Sequence, residues 1–128
     1  MDFHYTPLLQ RLFTASRELA AAHHNEFLTP EHLLLACVQA DLFKGIVPLD
    51  RLEALRAALV EVLDRDLTTS SEPPEPSFLW QRLEHFAALQ ALGSQVQTLD
   101  ITHYLSALYS LEHSFAAQLV ARYLGEKG

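Results

Sequence analysis

Apolar residues recur at three- and four-residue steps along most of the chain, a pattern typical of amphipathic helices. The first such stretch follows Thr6-Pro7 and predicts a helix over about residues 7–24, because threonine caps a helix and proline fits its first position. Thr29-Pro30 repeats this arrangement before a second helix, residues 30–40, which has hardly any polar face. We therefore expect a central helix buried nearly all round, with the carboxylate of Glu31 exposed at its start.

The rest of the chain predicts further helices and one linker. The helices cover about residues 51–65, 78–93, 101–110 and 112–124, and the last one stops at Gly125. Segment 68–77 holds three prolines among Thr, Ser and Glu, so it cannot propagate a helix. Alternation typical of a strand occurs only at Val96 to Leu99. We predict an all-α fold of about six to seven helices.

The second half of the chain repeats the first at an offset of 71 residues. The matched pairs are Thr29 with Asp100, His32 with His103, Leu34 with Leu105, Ala36 with Ala107, Leu12 with Leu83 and Ala20 with Ala91. Each unit leaves an apolar face that its twin can cover. We therefore predict a single domain over residues 1–128 with pseudo-two-fold symmetry, made of repeat one (6–67), the linker (68–77) and repeat two (78–125).

Three segments carry a resemblance to a known family. They are Glu-Phe-Leu-Thr-Pro-Glu-His-Leu-Leu-Leu-Ala at 26–36, Ala-Ser-Arg-Glu-Leu-Ala at 15–20 and Phe-Leu-Trp-Gln-Arg-Leu at 78–83. Together they resemble the double Clp N motif, which forms the N-terminal domain of the Clp ATPase unfoldases. Within that family they resemble the ClpA branch most. The resemblance implies an α-helical domain without catalytic activity or cofactor, tethered to an ATPase ring in the same or another chain. Such a domain docks adaptor proteins and substrate polypeptides.

The chain departs from the family pattern in three places. Segment Gln39 to Pro48 is shorter than in ClpA, and the second unit reaches Gly128 without the family's closing helix, so we expect an open face there. In ClpC-type relatives a glutamate directly precedes the histidine that corresponds to His32 or His103, and the glutamate of each unit receives phosphorylated arginine. Thr102 takes that place in the second unit, which argues against paired phosphoarginine recognition.

Five residues are candidates for partner binding. Glu26 and Glu31 are placed where the family docks its adaptor, and carboxylates there accept charge-assisted bonds from lysine or arginine. The simpler alternative is that Glu31 only complements the helix dipole. Ser77, Phe78 and Arg82 match positions that resemble the ClpA adaptor contact. The alternative for Ser77 and Arg82 is a helix cap and a surface cation.

Composition narrows the class of partner. A net charge of -7 disfavours nucleic acid and anionic membrane surfaces, where affinity depends on cations. No apolar run is long enough to span a membrane and no signal-peptide pattern is present, which predicts a cytoplasmic protein. Cys37 is the single cysteine; its apolar surroundings indicate a buried hydrophobe rather than a nucleophile.

Metal binding and catalysis find little support in the pattern. His23, His24, Glu26, Glu31 and His32 crowd one connector, but neither H-E-x-x-H nor C-x-x-C spacing occurs. His32 and His103 occupy equivalent positions in the two units, which indicates a structural hydrogen bond at each helix start instead. A Walker loop and a glycine-rich nucleophile elbow are both missing, so we expect no enzyme, no metal and no cofactor. Two alternatives stay open: a free-standing structural or regulatory protein that self-associates, and a helical metal-dependent hydrolase.

Overall fold

Six helices make up most of the computed structural model, which describes residues 3–124. They are α1 (Pro7–Ala22), α2 (Pro30–Gln39), α3 (Leu49–Glu61), α4 (Phe78–Gly93), α5 (Ile101–Leu108) and α6 (Phe115–Leu119). The strands are β1 (His4–Tyr5), β2 (Phe27–Leu28), β3 (Glu75–Pro76) and β4 (Thr98–Leu99). Segments of π-helix continue α3 through Val62–Asp66 and α6 through Val120–Leu124. The predicted all-α fold is confirmed.

The two halves of the described chain have matching backbones at the predicted offset. Helices α1 and α4 each span 16 residues and begin 71 positions apart. Helices α2 and α5 also begin 71 positions apart. After the first helix of each half, His24 and Gln95 adopt left-handed φ angles of 56° and 60°. The same turn therefore leads from helix into extended connector in both units.

Two parallel strand pairs join the units reciprocally. Strand β1 pairs with β4, and β2 pairs with β3, so each unit's leading strand lies beside the connector of the other. The backbone N–H of Thr6 donates to the carbonyl of Leu99 at 3.0 Å, and that of Ser77 donates to Leu28 at 2.9 Å. The hydroxyl of Thr6 also donates to the carboxylate of Asp100 at 3.0 Å. The hydrogen bonds between the two units thus follow the same pseudo-two-fold symmetry.

The sequence pattern misses three of these strands. Only β4 lies in the predicted stretch, while β3 lies in the segment predicted as a linker. A two-residue strand is too short to show alternation, and its pairing is decided by the other unit. The linker backbone is consequently held along the first connector, where Glu26 N–H donates to the Thr68 carbonyl at 2.8 Å.

Helix α2 lies at the centre of the core. Its side chains Leu33, Leu34, Leu35 and Cys37 have no exposed surface, and the helix packs against α1, α3 and α6. The prediction of a helix buried nearly all round is confirmed. Burial raises the pKa of the Cys37 thiol to about 12, so this side chain behaves as a small hydrophobe.

An aromatic cluster packs the first unit against the second. The ring of Phe13 on α1 lies edge-on to Tyr5, Trp80 and Tyr104, with centroid distances of 5.6, 5.7 and 5.3 Å. Such edge-to-face pairs add to the free energy of burying the rings. Phe13 therefore anchors α1 to both α4 and α5.

The last described segment crosses back to the first unit. Helix α6 begins after Ser114, whose hydroxyl accepts a hydrogen bond from Ala117 N–H at 3.0 Å, rather than at the predicted Glu112. Helix α6 and its π-helical continuation pack against α2 and α3. The predicted stop at Gly125 lies outside the described residues. Among residues 3–124, no helix combines the length and the apolar character needed to cross a membrane.

Candidate functional site

The β2–β3 pair brings four of the five candidate residues to one region of the surface. Glu75 N–H donates to the carbonyl of Glu26 at 3.2 Å, and Ser77 follows directly and bonds to the end of β2. Phe78 then begins α4, and Arg82 lies one turn further along the helix. Residues separated by some fifty positions in sequence are thereby neighbours.

Two phenylalanines are unusually exposed in this region. Phe78 has 71% of its surface exposed and Phe27 has 40%. The guanidinium carbon of Arg82 lies 5.7 Å from the ring centroid of Phe78 and 5.1 Å from that of Phe86, which is cation-π distance. We call Glu26, Phe27, Glu75, Phe78 and Arg82 the acidic-aromatic surface.

Sequence reasoning missed two members of this surface. Phe27 and Glu75 are register partners of the β2–β3 pair, and both are exposed. The available signal was a large apolar residue, Phe27, in a short connector between two helices, where a buried position is not required. Its partner depends on the strand pairing and carries no local signal.

Ser77 acts as a helix cap. Its hydroxyl accepts a hydrogen bond from Trp80 N–H at 3.0 Å, which satisfies one of the free N–H groups at the start of α4. Trp80 itself is 3% exposed and belongs to the core. Ser77 therefore positions Phe78 at the helix start, while Trp80 contributes no exposed surface.

The expectation of an exposed Glu31 is wrong. Its side chain is 3% exposed, and its Oε2 accepts a hydrogen bond from the backbone N–H of Ala116 at 2.7 Å. Ala116 lies in the first turn of α6, so the carboxylate caps that helix from 85 positions away. A buried carboxylate cannot contact a docking partner, and Glu31 is removed from the site.

Burial also changes the titration of Glu31. Desolvation raises the pKa of its carboxyl above the ordinary value, while hydrogen bonds from Ala116 and Thr29 act in the opposite direction. Desolvation is the larger of these effects, so burial disfavours the charged form of this carboxyl and the hydrogen bonds offset only part of that penalty.

His32 forms a buried hydrogen-bonded network beneath the first connector. Its Nδ1 accepts from Thr29 N–H at 2.9 Å, so the proton lies on Nε2, which donates to Asn25 Oδ1 at 2.8 Å. Asn25 in turn donates to the Leu63 carbonyl at 2.9 Å. In the second unit His103 accepts from Asp100 N–H at 3.0 Å, which confirms the predicted structural role of both histidines.

The connector's other acidic and basic side chains are spread over separate contacts. His23 Nδ1 lies 2.6 Å from Asp64 Oδ1, and burial lowers the pKa of His32 to about 4. Within the described ranges of the chain, no group of three or more His, Cys, Asp or Glu side chains could hold a metal ion.

Neither family models nor curated protein sequences match this chain, but solved structures do. The Hsp104 N-terminal domain from Candida albicans superposes with a TM-score of 0.70 at 17% identity, covering 99% of this chain and 84% of that one. The N-terminal domain of the caseinolytic protease associated chaperone ClpD from Arabidopsis thaliana gives 0.72 at 19%, covering 97% and 86%. A chain from structural work on a malarial protein secretion system gives 0.75 at 17%, covering 94% and 84%.

These similarities define the fold. The chain has the all-α, internally repeated fold of the Clp-type N-terminal domains represented by Hsp104 and ClpD. The sequence resemblance to that group is supported at the level of the fold, while the ClpA branch is not singled out.

Proposed function

We propose that this chain is a non-catalytic protein-interaction domain that docks adaptor proteins or substrate polypeptides for an ATP-dependent Clp-type unfoldase. The observation that carries this proposal is the exposure of Phe78 and Phe27 on the acidic-aromatic surface. The ATPase ring, in the same or another chain, performs the unfolding, and the site of action is the cytoplasm. We assign the unfoldase to the ClpA branch on the sequence pattern of residues 26–36 and 78–83.

A docking role suits the way this surface is built. Phe78 stands on the first turn of a capped helix, and Phe27 stands on a strand that is hydrogen-bonded to its neighbour. Rigid aromatic side chains lose little conformational entropy when a partner covers them, and aromatic residues contribute much of the binding free energy at interfaces. These exposed rings do not contribute to packing of the core, so burying them against a partner lowers the free energy.

The test is a titration of the isotope-labelled domain with reduced, amidomethylated ribonuclease A, a soluble unfolded polypeptide, followed by amide chemical shifts. We expect shifts to cluster at Glu26, Phe27, Phe78 and Arg82. Phe78→Ala should weaken binding by about tenfold, the usual cost of truncating a central aromatic contact. Ile46→Ala is the matched control, because Ile46 is 77% exposed elsewhere. Shifts confined to another face, or equal effects of both variants, would contradict the proposal.

A second candidate function is self-association. It is favoured by Ile46 and Leu49, which are 77% and 71% exposed in a shallow groove that Lys44 and Leu52 also line. Sedimentation velocity over a wide range of concentrations tests it: a mass that rises with concentration, and that Leu49→Asp abolishes, would support this function.

A further inference from the structure

The acidic-aromatic surface has a counterpart on the other side of the pseudo-two-fold axis. The β1–β4 pair repeats the β2–β3 pair, with His4 beside Thr98 where the first pair has Glu75 beside Phe27. At the same offset Gln97 replaces Glu26 and Pro7 replaces Phe78. The same backbone therefore forms without a carboxylate or a phenylalanine at any of these four positions.

The two strand pairs share a backbone but differ in their side chains. One strand pair, with the residues directly flanking it, carries two carboxylates and two exposed phenylalanines, while the equivalent four positions of the other pair carry neither residue type. Both copies make the same parallel register and the same strand-to-helix hydrogen bond. The shared backbone therefore does not require these four side chains.

We propose that the acidic-aromatic surface takes an extended polypeptide segment in which apolar side chains alternate with lysine or arginine. This inference rests on the proposed function and names the class of partner. The apolar side chains cover Phe27 and Phe78, and the cationic ones face the carboxylates of Glu26 and Glu75. An arginine or lysine there makes charge-assisted hydrogen bonds to the carboxylates and fixes the register of the segment.

Charge on and around the surface favours the same partner. The chain carries a net charge of -7, which attracts cationic segments and repels acidic ones. The surface's own cation, Arg82, lies against the rings of Phe78 and Phe86 on α4. The cationic residues of the partner are therefore expected beside Glu26 and Glu75, and its apolar residues over Phe27 and Phe78.

The test compares three dye-labelled ten-residue peptides by fluorescence anisotropy. Leucine alternates with arginine in the first, with glutamine in the second and with glutamate in the third. At low ionic strength we expect the arginine peptide to bind about tenfold more tightly than the glutamate peptide, and this advantage to shrink at high salt.

Variants assign that preference to the surface. The double variant Glu26→Gln and Glu75→Gln should reduce the preference for arginine to less than about twofold, since it removes the two facing charges. The matched control, Glu53→Gln with Glu112→Gln, removes the same charge from exposed positions elsewhere and should leave the preference unchanged.

The outcomes distinguish this inference from the proposed function. If all three peptides bind equally and Phe27→Ala weakens each, the surface docks polypeptides but the charge preference is wrong. If the arginine peptide is preferred equally by the double variant, the preference arises elsewhere and the inference also fails. If none of the peptides binds, the inference fails; if reduced, amidomethylated ribonuclease A also fails to bind, the proposed function fails with it.

Discussion

Glu31 Oε2 accepts a hydrogen bond from the backbone N–H of Ala116 at 2.7 Å, joining the first turn of α2 to the first turn of α6. The two residues are 85 positions apart. The carboxylate that the sequence places at an open helix end is thereby enclosed by the last helix of the described chain. The side chain of Glu31 therefore helps to hold α6 against α2 in the core.

Substitution of Glu31 separates hydrogen bonding from charge. Glu31→Gln keeps an acceptor for Ala116 N–H and avoids burying a charge, so the free energy of unfolding should change by less than about 1 kcal/mol. Glu31→Ala leaves a buried N–H without an acceptor and should cost about 1–3 kcal/mol. Urea unfolding measures both, with the exposed Glu112→Gln as control. Equal losses in the two variants would contradict the capping role.

Stability should fall in mild acid because of His32. Its pKa is about 4 in the folded protein against an ordinary 6.5, mainly because burial disfavours the charged ring. The unfolded chain therefore binds this proton first, and up to about 3 kcal/mol is lost as the pH falls from 6.5 to 4. Urea unfolding at a series of pH values measures this loss.

The control for this pH dependence is a pair of histidine variants. His32→Gln should flatten the stability profile between pH 6.5 and 4, while His113→Gln at an exposed position should not. Glu31 contributes with the opposite sign, because its raised pKa makes stability fall as the pH rises above 4.5. An unchanged profile in His32→Gln would show that other groups set the acid dependence.

Tyr104 offers a stabilising substitution. Its side chain is fully buried, and among the described residues its hydroxyl has no hydrogen-bond partner. Burial also raises the pKa of the phenol. Tyr104→Phe removes the unpaired polar atom and should raise the free energy of unfolding by about 1 kcal/mol. Tyr109→Phe, at a half-exposed ring, should change little; a destabilised Tyr104→Phe would refute this reading.

The residues that cap α1 and α4 should contribute different amounts to the free energy of unfolding. The hydroxyl of Thr6 accepts from Leu9 N–H and also donates to Asp100, whereas that of Ser77 accepts from Trp80 N–H at its own helix start. Ser77→Ala should cost about 1 kcal/mol, and Thr6→Ala about 1 kcal/mol more because it also loses the bond between the units. Thermal unfolding of both variants measures the difference. Equal losses would mean that the Asp100 bond contributes nothing.

The sequence predicts four of the helix starts because each depends on nearby residues, and it predicts the repeat because the same local pattern recurs 71 positions later. The starts after Thr6, Thr29, Ser77 and Asp100 all appear where capping chemistry places them. The third-position histidines are likewise a local signal, since each accepts from the backbone N–H three residues earlier. Local chemistry thus accounts for most of the helices.

Long-range partners explain what the sequence does not predict. The burial of Glu31 depends on Ala116, and the exposure of Glu75 beside Phe27 depends on a pairing between two-residue strands. Neither interaction leaves a pattern within a window of sequence. Of the five residues predicted for the candidate site, four lie in one region of the surface and Glu31 is buried, while Phe27 and Glu75 were not predicted.

Site-specific photo-crosslinking tests the docking surface most directly. A benzophenone amino acid replaces Phe78 in one protein and Ile46, which is similarly exposed, in another. Irradiation follows incubation with reduced, amidomethylated ribonuclease A. We predict a crosslinked product from position 78 that excess unlabelled polypeptide suppresses, and little product from position 46. Equal products from both positions, or product from position 46 alone, would contradict the account.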